Sequence, residues 1–231
     1  MMCQYDFHIS RLGDYSLLIQ IDSTPSKDLL NWLLIKKDDL SKLFNAEVVH
    51  TYNELLLKDC IAITTNIDSL INQVSDLLNV PVSNNDCNGV VHQIPVCYSS
   101  LYAPDLEEYA FQVKRTIPEI IKIHTNREYP IYFLGFLPGF PYLENLDARL
   151  HLDRKSVPSR SIARGSVAIG GTQTGIYPQE SPGGWHVIGR TPISLFDATK
   201  AKPSLFNAGD TITFYAIKER EYEKMVTSNN L

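Results

Sequence analysis

Hydrophobic and polar positions first alternate between residues 15 and 21, where Tyr15, Leu17, Ile19 and Ile21 share one side and Ser16, Leu18 and Gln20 the other. This period of two, with Gly13-Asp14 as turn chemistry behind DFHIS, predicts a β-hairpin. Thr24-Pro25 then supplies a cap and a first-turn proline for a helix carrying Leu29, Leu30, Trp32, Leu33, Leu40, Leu43 and Phe44. Two short strands are expected near 47–51 and 54–64. Ile67, Leu70, Ile71, Val74, Leu77 and Leu78 recur at helical spacing, the stripe of a helix laid on a sheet. Residues 1–82 therefore read as a small α+β domain. The turn-forming stretch PVSNNDCNG, Pro81 to Gly89, marks its boundary.

The second domain, 90–231, has a different texture. Val91 to Val96 is strand-like, Pro104 to Lys114 is helical with acids in its first turn, and Thr116-x-x-Glu119 is a capping box opening a helix that ends near His124. Helical periodicity then disappears. Nine of the twelve glycines fall between Gly135 and Gly189, punctuating β-rich runs such as YPIYFLGF, GSVAIG and WHVIGRTP, and alternation returns over 211–216. This spacing describes a mainly β domain, a closed or nearly closed antiparallel barrel. The final TSNNL reads as a frayed tail.

With 231 residues, 44% of them hydrophobic, the chain has enough material for a substantial core and is neither disordered nor collagen-like. A formal charge of -5 argues against non-specific nucleic-acid binding, so any anion site must be local. Cys3, Cys60, Cys87 and Cys97 form no C-x-x-C pair and have no His at metal-ligand spacing, so no metal site is expected and free thiols in a reducing compartment fit. The start lacks an apolar leader, and the longest apolar stretch, IYFLGFLPGFPYL, is broken by two Gly and two Pro. The expectation is a cytoplasmic protein without a membrane span.

Between Arg149 and Arg190 six basic residues (Arg149, Arg154, Lys155, Arg160, Arg164, Arg190) meet only Asp153 and Glu180, a local balance of +4. Either this is a solvated loop, or it recognises a carboxylate or phosphate through the planar guanidinium fork. Gly165 to Thr172 resembles a phosphate loop only weakly, because the lysine is absent and barrel corners also call for glycine. His124 falls on the apolar face of its helix at the C-terminal end, where burial and the helix dipole pull its pKa in opposite directions. That position suits either a proton-exchanging group or a core histidine. Phe136, Phe140 and Tyr142, on rigid Gly/Pro turns, wall a pocket or plug the barrel end, and Trp185 poses the same choice. No G-x-S-x-G, H-E-x-x-H or G-x-G-x-x-G is present, so a self-contained hydrolase or dehydrogenase has no support.

FLGFLPGFPYL, GSVAIGGTQTGIYPQESPGGWHVIGRTPISLFD, the His124-bearing IKIHT and the 203–210 turn together resemble the family called allophanate hydrolase subunit 1, which includes 5-oxoprolinase and kinase-inhibitor (KipI) members. The resemblance implies a cyclophilin-like barrel and a subunit of ATP-dependent 5-oxoprolinase, converting 5-oxo-L-proline to L-glutamate and inactive alone. ATP and Mg2+ would act at the level of the assembled complex, none bound by this chain alone. The implied partners are a second carboxyltransferase-like subunit (the C subunit of 5-oxoprolinase) and the A subunit of the same enzyme. The motif residues carried over are His124 and Arg190 as catalytic, and Pro138, Gly139, Phe140, Gln173, Tyr177, Gly184 and Trp185 as substrate-binding. Asp153-Arg154-Lys155 and Pro158-Ser159-Arg160 depart from the family pattern, a serine standing where an arginine is expected. The alternatives are a KipI-like inhibitor of a sporulation-type histidine kinase and a subunit of the allophanate hydrolase or urea carboxylase type.

Overall fold

The computed structural model describes residues 2–62, 66–83 and 89–229. Its contacts divide into two compact units, Met1–Asn88 and Gly89–Leu231. The first runs β1 (Met2–Cys3), β2 (Phe7–Leu12), β3 (Ser16–Ile21), α1 (Lys27–Phe44), β4 (Val48–His50), β5 (Glu54–Leu57), α2 (Ile67–Leu78) and β6 (Val82–Ser83). The predicted hairpin is β2–β3, within a four-stranded sheet of order β2-β3-β5-β4. Its alternation places Leu17, Ile19 and Ile21 in the core, where they meet Trp32 and Leu33 of α1 and Val74 and Leu78 of α2. Burial of these faces, rather than intrinsic helix propensity, is what stabilises such elements.

Two boundaries differ from expectation. α1 is capped by Ser26, whose Oγ accepts from Leu29 N at 3.1 Å, so Thr24-Pro25 lies outside the helix. The strand expected over 54–64 stops at Leu57, just before Asp59 turns into the left-handed region (φ 51). Lys36 is buried, and its Nζ donates to the carbonyls of Leu77 and Val80 at 2.7 Å, placing an ammonium at the C-terminal end of α2. In the expected boundary stretch, Val82–Ser83 pairs with Met2–Cys3, and residues 84–88 lie outside the described residues.

The second unit runs β7 (Val91–Cys97), α3 (Leu106–Gln112), α4 (Ile117–Thr125), β8 (Glu128–Leu134), β9 (Pro141–Leu143), β10 (Ser159–Ile162), β11 (Ser166–Gly170), β12 (Gln173–Ile176), β13 (Ser181–Gly183), β14 (His186–Arg190), β15 (Thr211–Ile217) and α5 (Glu219–Asn229). Seven strands close a barrel in the order β11-β12-β9-β8-β15-β7-β14, and β10 pairs with β13 as a separate ribbon. The barrel is not wholly antiparallel: β7 and β15 run parallel from Thr211↔Val91 to Ile217↔Cys97. A parallel pair needs a long crossover, supplied here by everything between residues 97 and 211, and alternation within a strand carries no sign of direction.

The capping box of α4 is formed as predicted, with Thr116 N donating to Glu119 Oε2 at 2.8 Å. In the turn before β15, buried Asp210 accepts from Val90 N (2.9 Å), Asn207 N (2.8 Å) and His92 Nε2 (3.1 Å), tying the starts of the two parallel strands together. Of the expected frayed tail, residues 227–229 belong to α5, whose buried anchor is Tyr222, and residues 230–231 lie outside the described residues. Among the described residues no helix is long and apolar enough to cross a membrane. Cys60 and Cys97 are free thiols, while Cys87 and the Cys3 side chain lie outside the described residues.

Candidate functional site

The turn joining β8 to β9 is folded tightly on itself. Leu137 N donates to Gly135 O (2.7 Å), Phe140 N to Leu137 O (3.0 Å) and Gly135 N to Phe140 O (3.1 Å). Closing it places both Phe136 (φ 63) and Gly139 (φ 82) in the left-handed region. A bulky residue held there is strained, and such strain concentrates at functional sites. The turn delivers Phe140 edge-on to Tyr177 (ring centroids 5.2 Å) and to Trp185 (5.5 Å), with Phe136 edge-on to Phe140 (5.7 Å) and more than half exposed at the rim. Phe140, Tyr177 and Trp185, with Ile162, Ala168 and Val187, form an apolar cluster distinct from the main barrel core.

The glycines explain why the rings sit where they do. A Cβ on Gly170 would lie 2.5 Å from the Trp185 indole, and one on Gly175 would lie 2.8 Å from the Phe140 ring. The glycine-rich stretch is thus a seat for aromatic rings, while Gly165 (φ +81) and Gly171 (φ +66) make the corners. These rings wall a cavity of about 240 Å³, completed by Tyr142, Arg154, Pro158, and Pro182 and Gly183 of β13 with Gly184 after it.

Only one lining residue of this pocket is charged. The Arg154 guanidinium stands 5.8 Å from the Trp185 ring centroid, a cation–π arrangement, and among the described residues no carboxylate pairs with it. Burial pushes the Tyr177 phenol up to about 12 and raises that of Tyr142 as well. Both phenols are therefore neutral hydroxyls at physiological pH. Chemically the site offers apolar walls, two O–H groups and one unpaired fork donor.

The residues expected to act together are divided. Phe140, Tyr177, Gly184 and Trp185 line the pocket. Pro138 and Gly139 shape the turn behind it; a Cβ on Gly139 would come 2.9 Å from Phe196. Gln173 Nε2 donates to Glu144 Oε1 at 2.8 Å and is not among the lining residues. Arg190 lies in a different cleft of about 330 Å³ with Tyr102, Asp105 and three serines, its Nε donating to Arg164 O at 2.7 Å. The β10–β13 ribbon contributes to both, through Ser159, Ser161 and Ile162 on one side and Pro182 and Gly183 on the other.

A proton-exchanging His124 does not match its placement. The ring is completely buried in the barrel, stacked 4.6 Å from Phe214, and desolvation holds its pKa down to about 3. Thr174 Oγ1 donates to Ala168 O (3.0 Å), so it accepts from His124 Nε2 (3.2 Å), which leaves Nδ1 to accept from Tyr98 O–H (2.8 Å). Every polar atom of the ring is satisfied by the core. Nor do the basic residues of 149–190 converge on one ligand: Arg149, with Arg127, binds buried Asp147 (2.7 and 2.6 Å), Arg154 lines the aromatic pocket, Arg164 binds Ser194 and Arg190 lies in the second cleft. Arg154 was visible in the sequence as one of six basic residues and as part of the stretch that departs from the family pattern, and neither signal marked it as a pocket residue.

A barrel-bearing α+β chain with a small aromatic pocket is the class these observations define. A family model described as the carboxyltransferase domain, subdomain C and D, matches residues 7–206, and the chain belongs to that family. The B subunit of Bacillus subtilis 5-oxoprolinase is 42% identical over 168 residues, covering 73% of this chain and 70% of that protein. Its Haemophilus influenzae counterpart, also a 5-oxoprolinase B subunit, is 46% identical over 131 residues, covering 56% of this chain and 61% of that protein. The K. lactis urea amidolyase structure shares the fold at 18% identity, with a TM-score of 0.77 over 98% of this chain and 16% of that one.

Proposed function

We propose that the chain works as a subunit of an ATP-dependent 5-oxoprolinase, helping to convert 5-oxo-L-proline to L-glutamate. The observation that carries this reading is the 42% identity to the Bacillus subtilis 5-oxoprolinase B subunit across nearly three quarters of the chain. The geometry agrees in kind: a pocket of about 240 Å³ with apolar walls suits a small ring.

The described residues do not fit ATP or Mg2+. Among the described residues no group of three His, Cys, Asp or Glu is placed to hold a metal, and one guanidinium beside a 240 Å³ pocket matches neither the charge nor the bulk of a triphosphate. In the proposed reading both groups act at the level of the assembled complex, with a second carboxyltransferase-like subunit (the 5-oxoprolinase C subunit) and the A subunit as partners, and this chain is inactive alone. A cyclophilin-like barrel and a cytoplasmic location belong to the same reading. The test is ADP and glutamate formation on adding 5-oxo-L-proline to the chain co-purified with its natural partners, with urea as the competing substrate. Turnover of 5-oxo-L-proline supports the assignment, and silence with it defeats it.

A further inference from the structure

We propose that the aromatic pocket itself takes the substrate, with Arg154 gripping its carboxylate while the small cyclic amide ring lies against Phe140, Tyr177 and Trp185. This assignment rests on the 5-oxoprolinase reading and adds to it the place and the polarity of binding.

Three observations converge. The Arg154 guanidinium is a fixed positive charge with no protein carboxylate to answer it among the described residues, set against the face of Trp185. An anion completes that arrangement, and the guanidinium fork matches a carboxylate in two hydrogen bonds. The walls are rings seated on Gly170 and Gly175, where any side chain would collide, so the cavity is preformed rather than gathered by the ligand. Finally, Tyr142 and Tyr177 line the pocket with hydroxyls that stay protonated in this setting, the Tyr177 oxygen also meeting the Trp185 backbone, and such hydroxyls can bond an amide C=O or N–H.

Other occupants fit less well. A phosphate would carry two charges against one cation, and its oxygens would meet walls that are apolar apart from two hydroxyls. A neutral ring would leave the guanidinium unanswered. A nucleotide exceeds the cavity, whereas a five-membered lactam bearing one carboxylate matches its size, charge and hydrogen-bonding groups together.

The experiment compares Arg154→Gln and Arg154→Lys with the wild type in the reconstituted complex, and titrates 5-oxo-L-proline into the full chain while following tryptophan fluorescence. Arg154 is exposed, so its replacement leaves the melting curve in place. Losing a charge-assisted fork is expected to raise KM for 5-oxo-L-proline by roughly 10–100-fold with kcat nearly kept, and Lys is expected to recover part of it. The ring lacking a carboxylate, 2-pyrrolidinone, should bind the wild type and Arg154→Gln equally weakly. An active complex whose KM ignores Arg154 overturns this assignment and leaves the 5-oxoprolinase reading standing. A wild-type complex that never turns over 5-oxo-L-proline removes the reading instead, and a chain that then also fails to bind it in titration removes the pocket assignment. Failure of Arg154→Gln to co-purify with its partners would make the pocket a partner contact and overturn the proposal as well.

Discussion

Two clusters of rings lie in the barrel unit, and they differ in what happens to their polar atoms. Around His124, the rings of Tyr98, Tyr129 and Phe214 pack within 6.0 Å, and each polar atom has a protein partner: Tyr98 with Nδ1, Thr174 with Nε2, and Tyr129 O–H with the His124 carbonyl at 2.8 Å. Around Trp185 the ring spacings are similar, yet Arg154 is left unpaired at the mouth. Buried polar groups satisfied from within rigidify a core, whereas unanswered ones at an opening are available to a ligand. A histidine among aromatics is thus no mark of a site by itself; the unfilled hydrogen-bonding capacity is.

The sharpest break in this comparison is Trp185→Ala. The indole is almost wholly buried and props both Phe140 and Tyr142. Its loss should cost about 3–5 kcal/mol in denaturant unfolding, as for large aromatic truncations in cores. A cost under about 1 kcal/mol would mean that the ring is a mobile lining rather than a wall. Gly170→Ala should reproduce much of the effect from the other side, since the added Cβ displaces the same indole.

Next comes His124→Phe, which keeps the stack on Phe214 but strands the Tyr98 hydroxyl; Thr174 retains its bond to Ala168 O. A buried unpaired hydroxyl costs about 1–3 kcal/mol. The pH dependence separates this role from a catalytic one. With a folded pKa of about 3 and an unfolded value near 6.5, only the unfolded chain takes up the proton between those limits. Stability is then full above the unfolded value and falls by up to about 1.4 kcal/mol per unit as pH drops toward 3. His124→Phe should flatten that slope, measured by urea unfolding at pH 4 to 7; an unchanged slope would assign it to other groups.

Asp147→Asn sharpens the contrast at lower pH. This carboxylate accepts from Arg149 Nε and backbone N (2.8 and 3.0 Å) and from Arg127 Nη2 (2.6 Å), and Arg149 foremost holds it well below the usual carboxylate range. Its stabilisation is present above the unfolded value near 3.9 and is lost as pH falls through the folded value, a window below that of His124. The variant should cost about 1–3 kcal/mol at pH 7 and remove the most acidic part of the unfolding curve. Retention of that acid limb in the variant would place its origin in another carboxylate.

Local periodicity carried the hairpin, α2, the α4 capping box and the existence of a barrel, because each depends on neighbours within a few residues. Strand direction between β7 and β15 was beyond it, being fixed by a crossover of more than a hundred residues. The site divided the same way. Phe140 and Trp185 stood out as aromatics beside glycines, and the glycines proved to be their seats, whereas Tyr177 entered only through the family resemblance. The family resemblance singled out Arg190 and passed over Arg154, whereas the structure sets Arg154 in the aromatic pocket and Arg190 in a separate cleft, the β10–β13 ribbon lending residues to both. His124 was legible as lying on the apolar face of its helix; its partners Tyr98 and Thr174, 26 and 50 residues away, were not.

The smallest effect is expected at Phe111, which is 84% exposed on α3 and so lies at the opposite extreme from Trp185. An aromatic ring in water gains almost nothing from the fold, so size alone predicts no cost for its removal. Phe111→Ser should move the unfolding free energy by no more than about 0.5 kcal/mol, the range of substitutions away from packed features. A measured loss above about 1 kcal/mol would show that the ring is covered in solution, and a protein-concentration dependence of that loss would identify the cover as a second molecule. With Trp185→Ala measured alongside, the pair spans the full scale of what a ring contributes in this unit, and burial is the variable that orders them.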